Sequence, residues 1–107
     1  MWRWRENVIR RAGGMCECGC GRRADDAHHV LPKDAAHWPA LALDPANGVA
    51  VARYCHAMHH AAMRRLPRAA VARAEPLATD GRMRAYIDRT YAGQPVRVAA
   101  ATSNRPS

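Results

Sequence analysis

The chain has 107 residues, enough for one small domain with a modest core. Its 17 Lys and Arg side chains against 9 Asp and Glu give a formal net charge of +8, which favours a polyanionic partner. Phe is absent, so we do not expect a large hydrophobic pocket for an organic cofactor or small-molecule substrate. No apolar run reaches the roughly 18 residues that a membrane-spanning helix needs, and we expect no membrane partner. Residues 1–6 lack the apolar core of a secretory signal, so we expect a cytoplasmic protein whose four cysteines are metal ligands or packed thiols rather than disulfides.

The predicted elements form an α+β domain in which one hairpin lies between helices. Trp4 and Val8 lie at helical spacing in a basic N-terminal segment, and Gly13-Gly14 ends this predicted helix. In chain order, we expect a helix over 2–12, a cysteine knuckle over 15–24, a strand over 27–31, a loop over 33–48, a strand over 49–52, a helix from 54 or 55 to 65, and further helices over 68–74 and 80–92.

The last predicted helix carries Met83, Ile87 and Tyr91 at fourfold spacing. We expect these three side chains to face the core rather than to bind a ligand. The sequence beyond this helix has little pattern, so we expect residues 1–92 to form a single domain and 93–107 a flexible tail.

Three short pieces of sequence stand in a fixed order and carry candidate chemistry. They are His28-His29-Val30-Leu31-Pro32, then Asn47, then Cys55-His56. Each piece alone is weak, because a histidine pair is common and Asn in a turn is usually a turn former. Their order and spacing beside a cysteine knuckle make a functional interpretation stronger than that of packed or surface histidines.

This order resembles that of the HNH endonucleases, also called ββα-metal or His-Me finger nucleases, over about residues 2–65. His29-Val30-Leu31-Pro32 matches the family's His-Ile/Val-x-Pro strand, and His28 lies where the family has Asp or His. Cys20 lies nine residues before His29, and Asn47 lies nine residues before His56, as in the family. The resemblance implies a ββα-metal core over about 13–65, with an N-terminal helix, a cysteine knuckle and a C-terminal helical extension over 66–92.

The resemblance implies a metal-dependent DNA endonuclease that cuts or nicks with low sequence preference. It assigns His29 as the general base, His28 and His56 as ligands of a divalent cation, and Asn47 as the residue that holds the loop and orients His29. An imidazole titrates near neutrality and can take a proton from water, and a divalent cation can polarise the phosphate. We expect Mg²⁺ or Mn²⁺, with Zn²⁺ and Ni²⁺ as alternatives. Because neighbouring side chains of a strand point to opposite faces, His28 and His29 are not expected to share one role.

The cysteines depart from the family pattern in two ways. Ala52 occupies the position of the third family cysteine, three residues before Cys55. The first knuckle contains Cys16, Cys18 and Cys20 at alternate positions where a C-x2-C pair is expected. Both departures leave the ligand set of a structural zinc open.

Two ligand sets for a structural Zn²⁺ remain as alternatives. One joins all three knuckle thiols to Cys55. The other keeps Cys20, Cys55 and one further knuckle thiol, and adds the imidazole of His59 or His60. A third interpretation has no zinc and treats the thiols as small packed side chains. We favour zinc, because a domain this small benefits from a staple.

Basic side chains are expected to contact DNA phosphates without reading bases. The candidates are Arg3, Arg5, Arg10, Arg11, Arg22, Arg23, Arg64 and Arg65. The alternative function is a zinc-knuckle module that binds nucleic acid without catalysis. His29, Asn47 and His56 together favour the nuclease, because a binding module needs no general base. A protein partner in a phage or mobile-element machine is compatible with it.

Overall fold

The computed structural model describes residues 2–32 and 38–93. In chain order it has helix α1 (Trp2–Arg11), strand β1 (Asp26–His29), 3₁₀ turns at Pro39–Leu41 and Pro45–Asn47, strand β2 (Gly48–Val51), helix α2 (Arg53–His60), a 3₁₀ segment (Arg68–Leu77) and helix α3 (Gly81–Thr90). The predicted α+β class is confirmed. None of the described helices has the length and apolar character needed to cross a membrane. The predicted tail, apart from Gly93, and the first part of the predicted loop, 33–37, lie outside the described residues.

The two strands form an antiparallel hairpin whose faces carry different partners. The pairing places Asp26 opposite Val51 and His29 opposite Gly48. Ala27 and Ala50 lie on the face that α1 covers, where they pack with Trp4 and Val8. The side chain of His28 lies on the other face, and alternation along the strand follows from its geometry.

Helix α1 lies unusually close to the hairpin at Gly48. A Cβ atom built on Gly48 would lie 2.6 Å from Val8 Cγ2 and 2.7 Å from Trp4 Cζ2. Only glycine allows this approach, and the indole Nε1–H of Trp4 then donates to the Asp44 carbonyl at 2.9 Å. The contact fixes the predicted N-terminal helix against the strands.

The second face of the hairpin supports the larger core. Val49 and Val51 pack there with Leu31, Ile87 and other buried residues from the C-terminal half. Ile87 and Tyr91 are buried, as their spacing predicts, and Met83 packs partly buried against the same cluster. The extension after α2 is thus part of the domain's core.

An ion-pair cluster joins the 3₁₀ segment to α3. Arg68 is only 2 % exposed, and its guanidinium donates to both carboxylate oxygens of Glu75 at 2.7 and 3.1 Å. Its Nη2 also lies 2.8 Å from Asp88 Oδ1. A buried arginine needs such pairing, because an unpaired charge in the interior is costly.

Strand β1 is shorter than predicted because its continuation bonds to a side chain. Beyond His29, the Leu31 N–H donates to Asn47 Oδ1 at 2.8 Å instead of to a strand partner. The Val30 N–H donates to the Asn47 carbonyl at 2.9 Å. The predicted strand 27–31 therefore leaves the sheet two residues early.

Helix α2 ends at His60, before the predicted end at 65. The Met63 N–H donates to the Met58 carbonyl and the Ala62 N–H to the His59 carbonyl, the hydrogen-bond pair of a Schellman cap. Ala62 adopts a positive φ of 60°, a conformation that usually requires glycine.

We expect Ala62→Gly to stabilise the protein, because glycine adopts this left-handed conformation without the clash of a Cβ. The gain in unfolding free energy should be on the order of 0.5–1 kcal/mol, after the entropic cost of glycine is subtracted. Chemical denaturation at constant pH measures it. Ala61→Gly is the matched control, because Ala61 has an ordinary φ of −79°. A stability loss of equal size in both variants would contradict strain at Ala62.

Candidate functional site

Three histidine nitrogens converge between β1 and α2. His28 Nδ1 lies 3.2 Å from His56 Nε2, which in turn lies 3.0 Å from His60 Nε2. His28 comes from the strand, and His56 and His60 lie one turn apart on the helix. A tetrahedral ion with bonds of about 2.0–2.1 Å holds its nitrogen ligands about 3.3 Å apart, so this set fits a metal ion.

The hydrogen bond from His56 to Asp26 prepares one of these ligands. His56 Nδ1 lies 2.9 Å from Asp26 Oδ2, and a carboxylate only accepts. His56 therefore carries its proton on Nδ1 and presents the lone pair of Nε2 to the other two rings. Burial acts to raise the pKa of Asp26, but the bonds from His56 and the Ala27 N–H outweigh it, so the pKa is lowered and the carboxyl stays ionised.

The pKa values of two histidines of this site, His28 and His60, are lowered toward the neutral state in which imidazole binds metals. Burial, followed by the charges of His59, His56 and His60, lowers the pKa of His28 to about 2. Burial and the neighbouring His56 lower the pKa of His60 as well. His28 is buried, His56 is half-buried and His60 is exposed, so the site opens to solvent along α2.

His29 lies on the opposite face of β1, as strand alternation predicts. Its ring stacks on Trp4 at a centroid distance of 3.8 Å and an angle of 6°. Its Nε2 lies 2.9 Å from the Ala42 carbonyl, which only accepts. A neutral ring would therefore carry its proton on Nε2.

Asn47 holds the loop, but it does not orient His29 directly as expected. Within residues 2–32 and 38–93, its side-chain bonds go to the backbone: it accepts from Leu31 N–H and donates to the carbonyls of Leu31 and Leu41. The residue after Leu41 supplies the carbonyl that holds His29. Asn47 therefore acts on His29 indirectly: it bonds to the Leu41 carbonyl, and the carbonyl of the next residue, Ala42, bonds to His29.

The four cysteines form a second cluster. Cys16, Cys18, Cys20 and Cys55 are free thiols whose sulfur atoms all lie within 4.8 Å of one another. The closest pairs are 3.3 to 3.6 Å apart, far longer than a disulfide bond. Tetrahedral zinc with bonds of about 2.3 Å sets thiolates about 3.8 Å apart, so the cluster fits a four-thiolate site.

Two glycines let the three knuckle thiols reach one point. Gly19 and Gly21 have φ values of 87° and 84°, which side chains rarely adopt. These turns relieve the crowding of three cysteines within five residues. Ala52 is buried in the same core cluster as Cys16 and Cys55.

The surroundings shift the pKa values of the thiols in different directions. The Arg22 N–H points at Cys20 Sγ from 3.4 Å, and this bond lowers the pKa of Cys20 to about 6. Burial raises the pKa values of Cys18 and Cys55. Because zinc binds thiolates, it would displace the protons that these buried thiols otherwise keep.

Neither histidine considered for the zinc site lies in it. His59 is buried, and its Nδ1 accepts the Leu66 N–H at 2.9 Å, while burial and the Arg65 charge lower its pKa to about 4. His60 belongs instead with His28 and His56. The structure thus favours the four-thiolate set over the sets that include an imidazole.

The candidate phosphate-binding arginines differ in their availability. Arg11 is half-buried and donates to the carbonyls of Pro45 and Gly48 and to Glu17, so its guanidinium is committed to the fold. Arg65 is exposed and donates one bond to the His59 carbonyl. The others are exposed, and they are Arg3, Arg5, Arg10, Arg22, Arg23 and Arg64.

Two polar partners of the histidines were not anticipated from the sequence. Asp26 lies two residues before His28 on the same strand face, and that spacing could have revealed it. Tyr91 places its hydroxyl 2.8 Å from His28 Nε2, and no local pattern signals this contact across 63 positions. Arg5 also bears on the site, because its charge contributes to the lowered pKa of Asp26.

The structure thus brings His28, His56 and His60 together and places His29 on the far side of β1. In comparisons with known proteins, no protein-family model, curated protein or solved structure matches this chain.

We expect His60→Ala to weaken metal binding at the histidine cluster by at least about 100-fold, because loss of outer-shell partners alone typically costs 10–100-fold. Zinc bound by the cysteines should remain. Calorimetry with Ni²⁺ and elemental analysis measure the two separately. Loss of the cysteine-bound zinc, with unchanged Ni²⁺ affinity, would instead assign His60 to the thiol site.

We expect Cys16→Ser and Cys18→Ser each to lower zinc content and thermal stability together, because binding free energy at a structural zinc is folding free energy. Elemental analysis and a melting curve of the same sample provide the measurement. A variant that keeps full zinc content would show that its thiol is dispensable and that another ligand completes the set.

Proposed function

We propose that this protein is a metal-dependent DNA endonuclease of the HNH type. The observation that carries the proposal is the placement of two neighbouring strand histidines: the ring of His28 lies with His56 and His60, and the ring of His29 lies on the other face of β1, held by the Ala42 carbonyl and Trp4. A binding module has no use for this combination. The order β1, β2, α2, with metal ligands on the first and last elements, supports a ββα-metal core.

The histidine cluster and His29 have different roles in the proposed reaction. A divalent cation bound by His28, His56 and His60 would supply Lewis-acid stabilisation of the scissile phosphate and of the leaving oxygen. His29 takes the proton of the attacking water, with the metal ion and the base on two sides of the phosphate. The Ala42 carbonyl and the Trp4 ring hold this imidazole in place, so the proton acceptor is oriented before substrate arrives.

The donor set bears on which ion is bound. Three imidazoles suit Zn²⁺ or Ni²⁺, whereas Mg²⁺ prefers carboxylate and water oxygens. The donor set therefore favours Zn²⁺ and Ni²⁺ over Mg²⁺ and Mn²⁺. The carboxylate of Asp26 bonds to His56, where it orients that ring.

The charge of the chain supports DNA as the substrate. The formal net charge is +8, and the charge of the exposed Arg65 acts on His60 of the histidine cluster. Arg5 lies close enough to the cluster to act on Asp26, and it is placed to meet a phosphate there. Such contacts position the backbone without reading bases, so we propose low sequence preference.

The cysteine cluster serves as the staple of this domain. Cys55 on α2 meets the three knuckle thiols that follow α1, so zinc there would join the two ends of the hairpin. This role is structural, because four thiolates leave no open position for substrate.

We expect His29→Ala to reduce cleavage by about two to four orders of magnitude, the usual effect of losing a general base. Plasmid nicking with a panel of Zn²⁺, Ni²⁺, Mn²⁺ and Mg²⁺, with a chelator control, measures it. DNA binding by fluorescence anisotropy should change little. Added imidazole should restore part of the rate, because it supplies the missing base.

The outcomes separate the nuclease from a binding module. Cleavage by His29→Ala at the wild-type rate, with contamination excluded, would remove His29 from the chemistry. Tight, metal-independent DNA binding with no cleavage under any ion would favour the non-catalytic zinc-knuckle alternative.

A further inference from the structure

We infer that Tyr91 is a positioning residue that fixes the tautomer of His28, so that the segment after α3 completes the metal site. The inference rests on the proposed function in taking His28 as a metal ligand. The hydrogen-bond geometry that carries it does not depend on catalysis.

The Tyr91 hydroxyl lies in a closed polar contact. It is 2.8 Å from His28 Nε2 and 3.0 Å from the Val30 carbonyl. Tyr91 and His28 are 3 % and 5 % exposed, so water does not compete at this contact. The hydroxyl therefore satisfies two buried polar groups on β1 and the residue after it.

The bond that the hydroxyl donates to the Val30 carbonyl decides the direction of the bond to His28. A tyrosine hydroxyl has one hydrogen, and the Val30 carbonyl can only accept it. Toward His28 the hydroxyl can then only accept, so His28 carries its proton on Nε2. The lone pair of His28 is left on Nδ1, which faces His56.

The other tautomer would block the site. With its proton on Nδ1, His28 would direct an N–H toward the nitrogen of His56, 3.2 Å away, and could not bind a metal ion there. It would also leave the Val30 carbonyl in competition with His28 Nε2 for one hydroxyl hydrogen. Outer-shell partners of this kind set which imidazole nitrogen is available to a metal.

The surrounding structure holds the tyrosine ring rigidly. The ring stacks on His59 at 5.1 Å and 11°, and the Tyr91 N–H donates to the Ile87 carbonyl at 3.1 Å. The next residue, Ala92, exchanges backbone bonds with Leu66 and Arg68. The hydroxyl is thus fixed by contacts from α2, α3 and the segment between them.

The test is Tyr91→Phe, which keeps the ring and removes only the hydroxyl. Tyr86→Phe is the matched control, because it makes the same chemical change on α3 at a half-buried tyrosine that packs near Trp38 instead of His28. Both variants are compared with the wild type after the histidine site is emptied with a mild chelator and retention of zinc by the cysteines is checked.

The first readout is the tautomer itself, from the ¹⁵N chemical shifts of the His28 ring. The wild type and Tyr86→Phe should show the Nε2–H form alone, and Tyr91→Phe should show a mixture that includes the Nδ1–H form. The second readout is Ni²⁺ affinity, which should fall about 10–100-fold in Tyr91→Phe and stay unchanged in Tyr86→Phe.

Two results would overturn the inference. One is an Nδ1–H tautomer of His28 in the wild type. The other is a Tyr91→Phe protein with the wild-type tautomer and the wild-type Ni²⁺ affinity. If Tyr91→Phe shifts the tautomer while even the wild type cleaves no DNA, the positioning role stands and the nuclease proposal fails.

Discussion

The register between β1 and β2 fixes which histidine meets which partner. Strand side chains alternate between faces, so a slip of one residue would exchange the environments of His28 and His29. His28 would then stack on Trp4, and His29 would point toward α2. Gly48 opposes this slip, because it pairs with His29 directly beneath Trp4, where any Cβ would clash. The separation of His28 from His29 therefore depends on one residue without a side chain.

The loop between the strands is shaped by a single buried amide. Asn47 is fully buried, and it bonds to both backbone groups of Leu31 and to the Leu41 carbonyl. It thereby ends β1 and fixes the chain next to Ala42, whose carbonyl accepts the hydrogen bond from His29 Nε2. Replacing this amide by a shorter side chain would leave buried donors and acceptors unpaired, at a cost of about 1–3 kcal/mol each. The His29 ring is oriented by backbone that the amide positions, rather than by the amide itself.

The sequence predicted what local patterns encode and missed what distant contacts decide. Helical spacing predicted α1 and α3, and the alternation of His28 and His29 predicted their opposite faces. The predicted end of α2 lies five residues beyond the observed one. Ala62 adopts a left-handed conformation that ends the helix, and the sequence has no glycine there to signal it. The spacing of Tyr91 indicated packing, which is true of its ring, but no local signal reports a hydroxyl bond to a strand 63 positions away. The zinc ligand set stayed open for a similar reason, since it depends on backbone angles in the knuckle.

The two candidate metal centres meet on one turn of α2. Cys55 faces the knuckle thiols, and the next residue, His56, faces His28 and Asp26. Successive helical side chains diverge by about 100°, so adjacent residues can serve two different centres without competing for one ion. A thiolate site on Cys55 would anchor the first turn of the helix, and that anchor sets the position of His56 and of His60 one turn later. Zinc at the cysteines would thus add rigidity to the histidine cluster. In a chain with a modest core, a fixed Cys55 would help to hold the neighbouring imidazoles in a ligand geometry.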